Sequence, residues 1–356
     1  MGWAWELTTL TGTAVAIVEP QKATIQRALN GASTCVLELT AAQAAQAVHG
    51  RLVRGWRTPK AGGAKVLRSH TQITEVNAAV GADSLEAVSI SSVDGYGMLG
   101  KRNTLASYTY TATSPRGIVY DLVSVEDGRR TVGLDIPATG DSGPNRDRTY
   151  EPGKNVGEAV QQLAEVDDGF YFRIDPYQGS YAGYTVFSQF NILYPASGGT
   201  SIARFEYGDG TLGNIQSAEV TVLPPVNSIN AFGAGEVGSQ ISTVVEHPYS
   251  VALYGLQEEV LSRPEVTDGD TLAQYASDAL KSEPQTIYRF KPMSFGPSVP
   301  SPWDEFDVGD LIVFRLNGQS PYMQTTQTGR VISFTVEIGQ DGVEFLTDLI
   351  VEVVNA

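Results

Sequence analysis

Cysteine is almost absent from this chain of 356 residues, which contains one, Cys35. A single cysteine cannot form a disulfide within the chain, and it cannot build a zinc site from several cysteines. Cys35 lies in the apolar run Thr34–Leu39 without a basic cluster beside it. This setting predicts a buried structural thiol, not a reactive one.

Long hydrophobic runs are missing as well. No stretch of the sequence approaches the roughly 20 apolar residues that a membrane-spanning helix needs. Near the N-terminus, the apolar run Ala14–Val18 is too short for a secretion signal, and Glu6 stands where such a signal carries basic residues. We therefore expect a protein that is synthesised and folded in a cytoplasm and has no membrane span.

Recognisable catalytic and metal-binding motifs are also lacking. His49, His70 and His247 are far apart, and none belongs to a metal-binding repeat. The loop Gly208–Gly213 has the glycine spacing of a dinucleotide-binding loop, but the next segment, Ala218–Leu223, has the pattern of a strand and not of the required helix. The sequence therefore predicts no catalytic residue, no metal ligand and no cofactor, and hence no enzyme.

Pairs of acidic residues in turns are further candidates for catalysis or metal binding. Asp167-Asp168 and Asp268-Gly269-Asp270 could suggest a catalytic dyad or a calcium loop, but the complete ligand pattern of a calcium loop is absent. Helix caps and solvated turns explain such residues better. The same interpretation applies to Asp304, Glu305 and Asp307, which precede a predicted strand.

Charge is plentiful but unevenly distributed. The formal net charge is −16. Residues 1–74 carry eight basic and three acidic side chains, a net charge of +5, whereas residues 257–356 carry six basic and sixteen acidic ones, a net charge of −10. Acidic chains are poor nucleic-acid clamps, because phosphate binding needs clustered Lys and Arg. The asymmetry suggests complementary surfaces that meet in an assembly.

One basic stretch has no acidic residue between its members. It is a candidate contact to an acidic neighbouring subunit, and a solvated face or a nucleic-acid contact are its alternatives. Its residues are Arg51, Arg54, Arg57, Lys60, Lys65 and Arg68.

Short β-strands dominate the pattern of the chain. Phe170, Phe172 and Ile174 alternate with more polar residues, which is typical of a half-buried strand, and similar runs recur between turn residues along most of the sequence. Four helices are predicted. Their expected positions are Ser114–Gly128, the segment that Asn155 caps, the segment from Asp270 to Pro284, and Ala41–Val48.

These patterns divide the chain into three parts. We expect a first β-barrel domain at 1–106, an α/β insert at 107–210, and a second β-barrel domain at 211–356 with a helical insert at about 256–304. Two predicted hairpins, Gln72–Val88 and Val331–Leu346, have the same strand–turn–strand plan, which favours two related β domains.

The order of these blocks resembles the tail hub family of long-tailed bacteriophages, whose members are often described as minor tail proteins. The resemblance covers most of the chain, and four stretches carry it: Ser84–Arg102, Asp270–Pro284, Phe306–Val313 and Gly329–Ser333. It implies a mainly β fold in which two related β-barrel hub domains carry smaller α/β and helical inserts.

The resemblance also implies a function. Family members form a homotrimer at the distal end of the virion tail, where the ring joins the tail tube to the tip fibres or spike and lets the genome pass. The implied partners are a distal tail or tube protein, a tape measure protein and tip fibre or spike proteins, with double-stranded DNA passing unbound. Acidic residues would suit the channel wall because they repel phosphates. Our candidates are Asp304, Glu305, Asp307 and Asp310.

A rival interpretation is a receptor- or carbohydrate-binding tail protein. The 16 Tyr and 4 Trp would then supply stacking platforms for sugars. The tryptophans Trp3, Trp5, Trp56 and Trp303 are spread along the sequence, which favours roles in a core or an interface instead.

Overall fold

The computed structural model describes residues 2–80, 86–127, 133–137, 139–166, 169–181, 184–194, 199–208, 213–235, 239–264, 266–293 and 298–354. The strands are β1 (Trp3–Thr8), β2 (Ala14–Val18), β3 (Lys22–Ala28), β4 (Thr34–Thr40), β5 (Leu52–Arg57), β6 (Val66–Val80), β7 (Glu86–Val93), β8 (Tyr108–Thr113), β9 (Leu134–Asp135), β10 (Arg146–Tyr150), β11 (Tyr171–Tyr181), β12 (Tyr184–Leu193), β13 (Thr200–Tyr207), β14 (Ile215–Leu223), β15 (Ser228–Phe232), β16 (Ser242–Glu246), β17 (Glu258–Ser262), β18 (Gln285–Pro292), β19 (Leu311–Asn317), β20 (Gln324–Gly339) and β21 (Glu344–Val353). The α-helices are α1 (Ala41–Ala44), α2 (Gly95–Leu99), α3 (Pro115–Asp127), α4 (Val156–Ala164), α5 (Pro248–Tyr254) and α6 (Gly269–Ala279).

Thirteen strands form one large sheet, in which the order is β14-β18-β21-β20-β3-β4-β7-β6-β5-β1-β2, with β19 paired to β20 and β13 paired to β19. All these pairs are antiparallel except β13 with β19. The prediction of a mainly β fold is confirmed. Strands from both predicted hub domains belong to this sheet, because β3 pairs with β20 in a register that sets Ile25 opposite Val336.

One hydrophobic core lies against this sheet. Its buried side chains come from both ends of the sequence, including Leu7, Leu37, Phe290, Phe334 and Val351. The predicted hairpins are present as β6–β7 and β20–β21, and in the sheet order they stand on either side of the central pair β3–β4. The turn of the first hairpin, residues 81–85, lies outside the described residues. The domain boundaries at 106 and 210 stay predictions.

The α/β insert packs around its own core. Its strands up to β12 form a β10–β8 pair and the small sheet β11-β12-β9, with α3 and α4 beside them, whereas β13, which also lies within the predicted bounds 107–210, belongs to the large sheet. Phe172 and Ile174 of β11 are 0 % and 1 % exposed, and Phe170 directly before the strand is 1 % exposed, so the alternation in the sequence did identify the buried face of β11. Phe172 stacks on Phe190 of β12 with 4.6 Å between ring centroids.

The segment from 226 to 281 forms a second insert that contains strands as well as helices. Its sheet has the order β16-β15-β17, and α6 packs against one face of it. The predicted limits of this helix, Asp270 and Pro284, differ from the observed ones. Asp268 is the N-cap, because its carboxylate accepts from the Thr271 amide at 2.8 Å, and Leu280 already has extended backbone angles.

The other helix predictions agree with the structure more closely. The predicted helix Ser114–Gly128 is present as α3, and Asn155 does cap α4. The alanine-rich segment Ala41–Val48 forms only the one turn of α1. No helix in the part of the chain described above is long and apolar enough to cross a membrane.

Candidate functional site

The acidic channel candidates lie in one loop, residues 301–310, which we call the acidic loop. Its backbone is fixed by its own side chains: Asp310 accepts from the Asp307 amide at 2.9 Å, and Glu305 accepts from the Ser301 amide. Trp303 has a φ of 64°, a left-handed conformation that is costly for a bulky residue and persists only where surrounding contacts impose it. The loop is therefore a tightly built element and not a loose connection.

Arg57 of β5 holds the first half of the acidic loop. Its side chain is completely buried, and it donates to Asp304 at 2.8 Å, to Ser301 Oγ at 2.9 Å and to Glu344 at 2.6 Å. The guanidinium also lies over the Trp303 ring, 5.6 Å from its centroid. Burial opposes the charge on Arg57, but the Glu344 and Asp304 carboxylates together keep its pKa above the ordinary value.

Arg27 of β3 holds the second half. It donates to Asp175 at 2.7 Å and to Asp307 at 3.3 Å, and its other amino group contacts the carbonyl of Ile174. Burial would lower its pKa, but Asp307 and Asp175 keep it raised. Because Asp175 lies on β11, Arg27 ties three parts of the molecule together: the large sheet, the α/β insert and the acidic loop.

The Asp175 carboxylate is shared by several donors. Arg173 donates to it at 3.0 Å, and the Asn191 amide donates at 2.6 Å. Burial alone would raise the pKa of Asp175, but Arg27 and Arg173 hold it below the usual range. Asp175 is therefore ionised in the folded protein and acts as the counter-charge of Arg27.

Three of the four tryptophans meet beside Arg57. Trp3 stacks on Trp5 with 5.2 Å between ring centroids, and Trp303 meets Trp3 edge-on at 5.8 Å. The Trp3 indole N–H donates to Glu344 at 2.8 Å. Sequence spacing gave no sign of this convergence, although it did favour a packing role. Trp5 is buried, so its ring faces contact protein and offer no platform to a sugar.

The predicted basic stretch divides into buried and exposed residues. Arg54 and Arg57 are buried, and the Arg68 guanidinium reaches the Trp303 carbonyl at 3.5 Å. Lys60 and Lys65 are exposed, although the Lys60 amide donates to Asp304 at 3.0 Å. Arg51 donates to Gln46. Residues of the predicted basic stretch and of the acidic loop thus contact each other within one chain. In the sequence, only the opposite net charges of the two ends pointed to this contact.

His70 lies at the junction between the large sheet and the α/β insert. Its Nε2 accepts from Arg54 Nε at 3.2 Å, which makes Nδ1 the donor to the Tyr177 carbonyl at 3.1 Å. Burial first, and then the charge of Arg54, lower the pKa of His70 to about 3. The ring is therefore neutral and structural at physiological pH.

The remaining candidate groups have structural surroundings too. Cys35 is fully buried, as predicted, and burial raises the pKa of its thiol to about 12. His247 caps α5 by accepting from the Ser250 amide at 3.2 Å, and His49 is exposed. Among the residues that can be described, no three His, Cys, Asp or Glu side chains are grouped as metal ligands. The candidate dyad Asp167-Asp168 and most of the glycine loop, 209–212, lie outside the described residues.

A second ionic junction joins the two inserts. Asp278 of α6 accepts from Arg148 at 3.2 Å and from Arg146 at 3.4 Å, both on β10. Tyr275 lies between two guanidinium groups, those of Arg148 and Arg263, at 4.5 and 5.3 Å from its centroid. The cleft between the inserts has a volume of about 470 Å³ and is lined by side chains of both charges.

Comparison with solved structures identifies the fold. Similar chains include a 43 kDa tail protein of prophage MuSo2 from Shewanella oneidensis (TM-score 0.60, 13 % identity, 99 % of this chain and 98 % of that one). A tail protein from Neisseria meningitidis MC58 gives a TM-score of 0.58 at 10 % identity, with 99 % and 97 % of the two chains covered. The prophage tail protein gp18 from Listeria monocytogenes EGD-e gives 0.57 at 9 % identity, with 98 % and 94 % covered.

These likenesses extend over nearly the whole of each chain. At such low identities they show a shared fold, so the chain has the fold of these phage tail proteins, and the resemblance inferred from its sequence is confirmed at that level. No protein-family model matches the sequence, and no curated protein matches it either.

Proposed function

We propose that this chain is a structural component of a bacteriophage tail, and more closely a hub at the distal end of the tail tip. In this proposal the chain forms a homotrimer that joins the tail tube to the tip fibres or spike and surrounds the channel through which DNA is ejected. Its partners are a distal tail or tube protein, a tape measure protein and the fibre or spike proteins. DNA passes without specific binding.

The observation that carries the proposal is the likeness in fold to tail proteins along 99 % of this chain and 98 % of the MuSo2 protein. A match of both whole chains concerns the complete arrangement of sheet and inserts, and not one common β motif. A non-enzymatic role belongs to the proposal. It is supported by the way that Arg27, Arg57 and their carboxylates are used, since each of these groups binds another part of the same chain.

The acidic loop is our candidate for part of the channel wall. The side chains of Asp304, Asp307 and Asp310 are 17 %, 17 % and 20 % exposed to solvent, so they still contribute to the surface potential. Glu305 adds a fourth carboxylate. A wall with this charge repels the DNA backbone, whereas a basic wall would retain it during ejection.

The test is a cryo-electron microscopy reconstruction of virion tails in which this chain carries a small epitope tag. We expect three copies in a ring between tube and tip, with the acidic loop towards the lumen. A peripheral position or a six-fold arrangement would contradict the hub. A ring with the acidic loop on its outside would contradict only the channel wall.

The rival function has a separate test. If the chain is a receptor- or carbohydrate-binding tail protein, the purified chain should bind defined sugars on a glycan array. We expect no specific signal, because the stacking tryptophans Trp3, Trp5 and Trp303 already pack against one another.

A further inference from the structure

The sheet of the second insert is covered on only one face. The helix α6 packs against Ile229 and Ala231 of β15 through Leu272 and Ala276. Neighbouring residues in a strand point to opposite faces, so the residues between these two lie on the other side of the sheet. None of the described elements packs against that side in the single chain.

The open side exposes an apolar residue on each of its three strands. Val244 of β16 and Val260 of β17 are register partners of the same residue, Asn230 of β15, so the three form one row across the sheet. Val244 and Val260 are 60 % and 65 % exposed, and Phe232, two residues along β15 on the same side, is 36 % exposed. Each strand thus exposes one apolar residue on this side, and the polar Asn230, which donates to Glu258 at 3.1 Å, lies between the two valines.

The helix α5 also exposes apolar residues in this insert. It connects β16 to β17 and is fixed to the insert, because Ser250 Oγ donates to the Ser282 carbonyl and Asn227 donates to the Gly255 carbonyl at 2.8 Å. Its Tyr249 and Leu253 are 74 % and 57 % exposed. We call Phe232, Val244 and Val260 the open sheet face.

Acidic residues border the open sheet face. Glu246, the last residue of β16, and Glu258, the first residue of β17, are both exposed and are both register partners of Ser228, so they lie on the same side as Val244 and Val260. Exposed apolar residues that cluster on a surface mark interaction sites, and among the described strands both outer strands of this sheet have an unpaired edge. The acidic border selects a basic partner.

The chain itself carries a surface of this chemistry. The loop from Lys60 to Val66 is exposed along its whole length, with Lys60 and Lys65 near its ends and Val66 39 % exposed. Gly62 and Gly63 have positive φ angles and open space around their Cα atoms, so the loop projects from the sheet. No acidic residue occurs between Arg51 and Arg68, so the loop stays basic. We call residues 60–66 the lysine loop.

We propose that the open sheet face of one copy binds the lysine loop of a second copy. Val66 and the aliphatic stems of the lysines would cover Phe232, Val244 and Val260, while the ammonium groups meet Glu246 and Glu258. The two surfaces lie on different parts of one chain, so the contact is head-to-tail. Repetition of such a contact gives a closed ring or an open filament. This inference rests on the proposed hub, because it names the contact that would build the ring of that hub.

The first test measures self-association of the purified full chain by sedimentation velocity. Val244→Lys with Val260→Lys places two cations on the open sheet face without disturbing a buried residue. We expect the dissociation constant to rise at least about tenfold, because apolar contact is lost and like charges meet. Val222→Lys, at a 45 % exposed valine on β14, is the matched control and should associate like the wild type.

The second test exchanges the charges. Lys60→Glu with Lys65→Glu should weaken association, Glu246→Lys with Glu258→Lys should weaken it too, and an equimolar mixture of the two variants should associate again. A carbodiimide should link these lysines to these glutamates between an isotope-labelled and an unlabelled copy. Equal thermal midpoints for all variants would show that folding is intact.

Several outcomes would overturn the contact. The first is a wild-type chain that stays monomeric up to about 1 mM, a concentration at which all but very weak binding would be detected. The second is unchanged association in the Val244→Lys, Val260→Lys variant. The third is cross-links between other residues. A tail reconstruction with a three-fold ring built through other surfaces would overturn this contact and keep the hub. A peripheral position in the tail together with intact head-to-tail association would contradict the hub and keep this contact.

Discussion

At the scale of single residues, two buried guanidinium groups carry the largest electrostatic consequences. Arg57 and Arg27 are 0 % and 2 % exposed, and taking such a charge out of water is costly unless carboxylates and hydrogen bonds replace the solvent. Among the described residues each has two carboxylate partners, and one of the two comes from the acidic loop. The acidic residues of this loop therefore have a structural role whatever else they do.

Removing one of these arginines should destabilise the chain strongly. We expect Arg57→Ala to lower the free energy of unfolding by about 3–5 kcal/mol, because it leaves Asp304 and Glu344 without their counter-charge. Urea denaturation followed by tryptophan fluorescence measures it. Arg289→Ala is the control: its pair with Asp348 is exposed, and such pairs contribute about 0–1 kcal/mol. Similar losses in both variants would contradict the bracing role of Arg57.

His70 predicts an acid-sensitive stability. Its pKa is about 3 in the folded chain and about 6.5 when unfolded. Between these values the unfolded chain binds more protons, so the contribution of His70 is complete above pH 6.5 and falls as the pH drops towards 3. His70→Gln can still donate to Tyr177 and accept from Arg54. Between pH 7 and pH 4 the free energy of unfolding should therefore fall by about 3 kcal/mol less in His70→Gln than in the wild type. Urea denaturation across this pH range measures the difference.

Comparison of the two profiles isolates His70 from other titrating groups. Burial raises the pKa of Asp94 to about 6, so that residue has the opposite effect and favours the folded state as the pH falls from 6 to 4. This contribution is common to wild type and variant and cancels in the difference. His49→Gln, at an exposed histidine, should keep the wild-type profile. Parallel profiles for wild type and His70→Gln would show that His70 is not the sensor.

At the scale of elements, helix starts were predictable where one residue alone could cap. Asn155 was identified from its sequence context, and its side chain does accept from the Glu158 amide at 3.0 Å. Asp268 and Asp270 both stand near the start of α6, and the sequence favoured the wrong one. Only the position of the Thr271 amide, which points at Asp268, decides between them.

The cap of α4 gives a prediction at this scale. Asn155→Ala should cost about 1 kcal/mol of unfolding free energy, because the Glu158 amide loses its acceptor. Asn155→Asp keeps the acceptor and loses only the donor to the Gly100 carbonyl, so it should cost less. Thermal unfolding followed by circular dichroism compares the two. Equal losses would assign the effect to the contact with Gly100 and not to the cap.

At the scale of the whole molecule, the two groups of strands depend on each other. The first hundred residues pair with the C-terminal strands through β3 and β20, and the hydrophobic core includes side chains of both. Arg27 and Arg57, both in the first group, pair with the carboxylates of Asp175, Asp304, Asp307 and Glu344, which lie beyond residue 174. The strands of the first group therefore lack essential contacts when they are alone.

We accordingly expect the isolated segment 1–106 not to fold. Its edge β3 and its two guanidinium groups would be left without partners, and the shared core would be open to water. The amide proton spectrum of this segment should show poor dispersion, and the dispersion should return when the segment 107–356 is added. A well-dispersed spectrum of 1–106 alone would instead support an independent first barrel.

The sequence by itself determined what depends on neighbouring residues. Period-two alternation identified β11, single caps identified α3 and α4, and the apolar surroundings of Cys35 identified a buried thiol. Each of these features depends on residues only a few positions apart in the sequence. The tertiary structure alone decided that Arg57 meets Asp304, 247 residues away, and that Trp3 meets Trp303. Spacing cannot encode such contacts, since the order of strands in the sheet, and not distance along the chain, brings these side chains together.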